Sequence, residues 1–139
     1  MIVRTNGEKE TIRLGYALGK TLTKGAVVSL RGSLGAGKTV FAKGVARSLG
    51  IQEAIASPTF TLIQEYEGTL PLYHMDLYRI DSTEEFELIG GEEYLYGEGI
   101  TLIEWSEKIR DLLPEETIYV TIALIDDGSR EIRIEGATL

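Results

Sequence analysis

Gly32-Ser33-Leu34-Gly35-Ala36-Gly37-Lys38-Thr39 follows the compact β-prone run Ala26-Val27-Val28-Ser29-Leu30-Arg31 and precedes a helix-compatible stretch, Thr39 to Leu49, closed by Gly50. Strand, glycine-rich loop and helix, in that order, satisfy every fixed position of a phosphate-binding P-loop. The glycines let successive backbone N–H groups curl around a phosphate, and the helix N-terminus adds its positive dipole. Lys38 can then reach β- and γ-phosphate oxygens, and the Thr39 hydroxyl is available to magnesium. A chance glycine turn before a helix is the competing reading, and the strand and helix on either side weigh against it.

Outward from the loop, the 139 residues suit one domain, 1–139, with its own hydrophobic core. The length is too short for a catalytic domain plus a separate binding domain, so a large motor ATPase is not expected. Hydrophobic content of 43% with 26% charged residues describes a globular chain, and no apolar run approaches a membrane span. The opening residues Met1 to Glu8 lack the apolar core of a signal peptide, so a cytoplasmic location is expected. With no cysteine there is neither a disulfide framework nor a thiolate metal site. The formal net charge of -8 argues against an independent grip on nucleic-acid phosphates. Acidic residues concentrate between Asp81 and Glu116, where only Lys108 and Arg110 oppose them. A solvated face is the ordinary reading of such a run, and docking of a basic partner is the alternative.

The remaining pattern is that of one α/β layer system. Glu10 to Thr23 reads as a helix with Leu14, Leu18 and Leu22 on one stripe, and Gly15 and Gly19 permit close approach of another backbone or a flat ligand. Strands are expected at Phe60 to Tyr66, Leu70 to Asp76 and Ile100 to Ile103. Ser82 to Glu85 forms a capping box opening a short helix that Gly90-Gly91 ends. Ile118 to Ile125 and Glu131 to Glu135 flank Asp126-Asp127-Gly128-Ser129 as a hairpin. The expected fold is therefore a P-loop NTPase domain with a mixed, mainly parallel sheet flanked by helices and a C-terminal hairpin.

A P-loop needs carboxylates at neighbouring strand ends to hold magnesium or its water shell. Glu104 ends the hydrophobic strand Ile100 to Ile103 in the manner of a Walker B element, and Asp76 ends Leu72-Tyr73-His74-Met75 likewise. Thr59, in Ser57-Pro58-Thr59, occupies the place where small NTPases carry a γ-phosphate switch, although a simple turn also fits. His74, the lone histidine, is read as a packing residue, because one histidine makes no metal site. Trp105 is open between core, partner contact and nucleotide-proximal ring. Arg79 and Arg130 are arginine-finger candidates against an ordinary solvated reading.

Leu34-Gly35-Ala36-Gly37-Lys38-Thr39, Ser57-Pro58-Thr59-Phe60-Thr61, Tyr73-His74-Met75-Asp76-Leu77-Tyr78-Arg79 and Ile103-Glu104-Trp105 stand in an order and spacing that resemble the TsaE (YjeE) family. These are small bacterial P-loop ATPases of tRNA threonylcarbamoyladenosine synthesis. The resemblance runs nearly end to end and rests on four blocks together. It implies ATP and magnesium as cofactors, with Ser33, Leu34, Gly35, Ala36, Gly37, Lys38, Thr39 and Val40 around the phosphates. It implies Thr39 and Glu104 on the metal, Asp76 near nucleotide and metal, Thr59 in the switch-like segment and Thr11 near the adenine. It also implies TsaD and TsaB as partners, tRNA contact only through their complex, and ATP hydrolysis that resets the complex between turnovers, slow for the chain alone. Ser33 stands where family members usually carry Asp, and Val40 where they often carry Thr. Backbone N–H groups cradle phosphate at both positions, so binding tolerates the change.

Two other classes compete. A small P-loop kinase would need an acceptor pocket and an arginine-bearing lid, whereas an acidic segment follows Asp76. A nucleotide-gated binding module, in which ATP only orders a surface, would not need Glu104 and Asp76. A GTPase is disfavoured because no Asn-Lys-x-Asp sequence occurs.

Overall fold

Hydrophobic strands that alternate with helices bury both sheet faces. A computed structural model describes residues 1–33, 35–56, 58 and 62–139. Along the chain these form β1 (Ile2–Thr5), α1 (Glu8–Thr21), β2 (Val27–Arg31), α2 (Lys38–Ser48), β3 (Ile63–Tyr66) and β4 (Leu72–Asp76). There follow α3 (Thr83–Leu88), α4 (Gly91–Leu95), β5 (Ile100–Glu104), a 3-10 helix (Ser106–Leu112), β6 (Ile118–Leu124) and β7 (Arg130–Glu135). The strands make one seven-stranded sheet in the order β1-β7-β6-β2-β5-β4-β3. Its centre, β6-β2-β5-β4, is parallel, and both margins are antiparallel, with β6 and β7 as the expected hairpin.

Alternation along the strands feeds two cores. Val28, Leu30, Leu102 and Val120 pack with Leu18 of α1 and Phe41 and Val45 of α2. Val27, Met75 and Ile103 point the other way, onto Phe86 of α3, Leu95 of α4 and Ile109 of the 3-10 helix. Every residue of β5 is buried, as a central parallel strand covered on both faces requires.

The first two helices meet backbone to backbone. A methyl group added at Gly15 would fall on the Phe41 carbonyl oxygen, one at Gly44 on the Ile12 carbonyl oxygen, and one at Gly19 on the Ser48 hydroxyl. Gly15 therefore serves the first of the two uses expected of the pair, close approach of another backbone, while Gly19 makes room for the Ser48 side chain. α1 starts earlier than its apolar stripe suggests, at Glu8: Thr11 N–H bonds the Gly7 carbonyl at 3.2 Å, and Glu10 reaches back to accept from Asn6 N–H at 3.2 Å.

Ser82 caps α3 by accepting from Glu85 N–H at 3.3 Å, as the capping box predicts. Gly90-Gly91, expected only to end a helix, also starts one. Gly90 turns the chain at φ 76° and Gly91 opens α4 beneath the Phe86 ring. β1 and the 3-10 helix were not legible. Ile2 to Thr5 is too short to display a period, and it becomes a strand by pairing with β7. The expected start of β3 at Phe60 lies outside the described residues, as does Thr61. No helix among the described residues is long and apolar enough to cross a membrane.

Candidate active site

Parallel β2 has β5 on one side and β6 on the other, so the chain leaves its carboxyl end at a point where connections diverge, the usual place for a ligand crevice. The loop leaving β2 is built on left-handed glycines. Gly32, Gly35 and Gly37 have φ values of 149°, 81° and 114°. A side chain at Gly32 would run into the Ile122 carbonyl, which accounts for glycine there sterically as well as conformationally. Gly37 caps α2, and Ala36 N–H bonds the Ser33 carbonyl at 3.1 Å, closing a turn within the loop.

The loop opens on a cleft of about 940 Å³. Its lining includes Gly32, Ser33, Gly35, Gly37, Lys38, Thr39 and Val40 from the loop and α2, Asp76 and Glu104 from the strand ends, and Thr11 from α1. These expected residues are thus brought to one place. Ala36 is not on that wall: its side chain is buried in the core, 1% exposed, and only its backbone belongs to the loop. Leu34 and Thr59 lie outside the described residues, and so does Ser57. Pro58, Leu62, Tyr78, Arg79, Trp105, Gly7, Glu8 and Arg130 complete the lining.

Strand register explains the carboxylates. Asp76 of β4 pairs with Glu104 of β5, so two parallel strands end side by side in acids. Asp76 Oδ1 accepts from Tyr78 N–H at 3.0 Å, turning the chain away from the strand. Lys108 holds that turn by donating to the carbonyls of Tyr78 at 3.3 Å and Ile80 at 3.0 Å. Glu104 is 5% exposed and fully engaged. Its Oε1 lies 3.3 Å from Lys38 Nζ, which also donates to the Gly32 carbonyl at 2.9 Å. Its Oε2 accepts from His74 Nε2 at 3.0 Å. Burial pushes the Glu104 carboxyl up, but the hydrogen bond and charge of His74 and the Lys38 ammonium outweigh it and hold the group below its ordinary range.

His74 is buried as its packing reading expects, and it also does more than pack. It is fully buried, yet its ring nitrogen meets the carboxylate of the strand-end acid. A signal existed: His74 and Asp76 are two apart on one strand, hence on the same face, and the face that carries one site residue carries its neighbour. Trp105 is also resolved in position. It takes the left-handed conformation, φ 61°, directly after Glu104, and its ring lies 5.1 Å from that of Tyr78 at the cleft wall.

Chemically, the arrangement offers glycine-loop N–H groups and an ammonium for an anion, with two hard carboxylates beside them. Oxygen donors of this kind suit magnesium, which takes one or two carboxylates and completes its shell with water and phosphate. The Thr5 and Thr11 hydroxyls, 2.8 Å apart and buried, fix the first turn of α1 to the edge of the sheet beneath the cleft.

The sequence matches the family model described as "Threonylcarbamoyl adenosine biosynthesis protein TsaE" over residues 5–132. The tRNA threonylcarbamoyladenosine biosynthesis protein TsaE of Treponema pallidum is 50% identical over 126 residues, covering 91% of this chain and 93% of the relative. The protein of the same name from Bacillus subtilis is 45% identical over 130 residues, covering 93% and 81%. The crystal structure of YdiB from Bacillus subtilis superposes with a TM-score of 0.82 at 40% identity, over 95% of this chain and 82% of that one. With agreement of this extent in both sequence and fold, the chain belongs to the TsaE family.

Proposed function

We propose that this chain is the ATP-binding and ATP-hydrolysing component of tRNA threonylcarbamoyladenosine synthesis, acting in the cytoplasm with TsaD and TsaB and reaching tRNA through their complex. The observation that carries it is the Lys38–Glu104 contact at 3.3 Å, made across the mouth of a left-handed glycine loop beside Asp76. A phosphate-binding lysine and a strand-end carboxylate are then in place before any ligand arrives, and preorganisation of this kind is what electrostatic catalysis of phosphoryl transfer requires.

In this reading the loop N–H groups and Lys38 bind the phosphates, Thr11 lies at the nucleotide's adenine end, and Thr59 belongs to the switch-like segment. Thr39, Glu104 and, near them, Asp76 would hold magnesium, which neutralises phosphate charge when bound. His74 keeps the Glu104 carboxylate in one orientation. The acidity of the chain, net -8, agrees with leaving tRNA to the partners. Hydrolysis by the chain alone is slow, and the partners supply the rest of the transition-state stabilisation.

The test is ATP hydrolysis by the pure chain, by the chain with TsaB and TsaD, and by Lys38→Ala and Glu104→Ala variants in the same mixture. Partner-stimulated turnover lost in either variant is the expected result. Tight ATP binding without turnover in every mixture would replace this reading with a nucleotide-gated binding module.

A further inference from the structure

Arg130, the first residue of β7, is spent on the glycine loop. Its Nε donates to the Ala36 carbonyl at 2.8 Å, its Nη1 to the Gly128 carbonyl at 2.7 Å, and its Nη2 approaches the Gly35 carbonyl at 3.5 Å. One guanidinium thus joins the β6–β7 turn to the crown of the loop, across 94 residues of sequence. The turn is itself braced: Ser129 N–H bonds Asp127 Oδ1 at 2.9 Å, and Arg4 Nε of β1 donates to the Ser129 hydroxyl at 2.9 Å. Arg130 also lines the cleft.

We infer that Arg130 is a nucleotide-positioning residue serving the phosphates that ATP and ADP have in common. The inference rests on the nucleotide reading above. A peptide unit is planar, so anchoring the Ala36 carbonyl also fixes the direction of the Gly37 N–H, one of the loop's donors. A planar fork suits this task, since it can hold two carbonyls at once and still add a positive charge to the cleft. Sheet order assigns the phosphates. β6 and β7 lie on one side of β2, whereas β5 and β4, with Glu104 and Asp76, lie on the other. Arg130 therefore stands on the flank of the loop away from the carboxylates that attend the terminal phosphate, and its contribution is blind to that phosphate.

The experiment is equilibrium titration of the full chain with fluorescent ATP and ADP analogues, for the unsubstituted protein, Arg130→Gln, Arg130→Lys and Lys38→Ala. Melting without nucleotide shows that each variant is folded. Arg130→Gln is expected to weaken both nucleotides by the same factor, about tenfold or more for loss of a charged hydrogen-bonding group. Arg130→Lys keeps the charge without the fork and should fall between. Unaltered affinities in Arg130→Gln, full affinity in Arg130→Lys, or a loss confined to ATP would each overturn the inference while the nucleotide reading stands. Failure of the unsubstituted chain to bind either analogue would overturn both together.

Discussion

The Nε2 atom of His74 lies 3.0 Å from Oε2 of Glu104, and the other oxygen of the same carboxylate faces Lys38 Nζ at 3.3 Å. A carboxylate only accepts, so the ring nitrogen is the donor and the histidine fixes one oxygen while leaving the other toward the cleft. Residues that orient a site carboxylate typically contribute about 10–100-fold to metal affinity or activity. His74→Ala is expected to lower single-turnover ATP hydrolysis by about that factor, with nucleotide affinity changed by no more than about threefold. His74→Gln, which can still donate, should recover part of the rate. Equal losses of affinity and rate would mean that the histidine supports the fold of the loop instead.

The same carboxyl sets an acid limit. Burial alone would raise its pKa, but His74 and Lys38 lower it overall, so the unfolded chain binds this proton more readily than the folded one. The resulting stabilisation is complete above the ordinary glutamate pKa of about 4.3 and is lost as pH falls through the lowered folded value. Urea unfolding at a series of pH values should therefore show the native chain losing more stability on acidification than Glu104→Gln. Parallel curves for the two would remove Glu104 from the acid transition.

Much of this was readable from residues alone, for local reasons. The glycine loop, the strand before it and the acids at Asp76 and Glu104 are contiguous patterns, and each occupies the predicted end of a strand. What escaped was long-range. β1 exists because β7 pairs with it, and Arg130 reaches the loop because β6 runs parallel beside β2, which brings the β6–β7 turn to the same end of the sheet as the loop. The burial of His74 agrees with its packing reading, and its strand face could be read beside Asp76, but its partner Glu104 lies 30 residues away on a strand whose pairing is fixed only by the sheet.

Contact between α1 and α2 tolerates no side chain at Gly44, where an added methyl would collide with the Ile12 carbonyl and crowd Tyr16 N at 2.8 Å. Backbone atoms cannot rotate away as a side chain would. Although alanine has the better helix propensity, Gly44→Ala should destabilise the protein by about 1–3 kcal/mol or more through overpacking. An exposed control, Lys9→Ala, should stay within about 0.5 kcal/mol. Denaturant midpoints for the two variants measure the difference, and a stabilised Gly44→Ala would contradict the observed crossing.

Trp105 makes the corresponding case for a strained backbone. It holds φ 61° and ψ 38°, the one non-glycine residue with positive φ among the described residues; the residue is 42% exposed and its ring lies against that of Tyr78. Replacing it by alanine removes the ring contact and keeps the strain, whereas glycine removes the ring and relieves the strain. The usual order of the two substitutions should therefore invert, with Trp105→Gly more stable than Trp105→Ala by about 1 kcal/mol in urea unfolding. If alanine proved the more stable, the left-handed turn that carries the chain from Glu104 into the 3-10 helix would not persist in solution, and the ring would have to reach the cleft wall by another path.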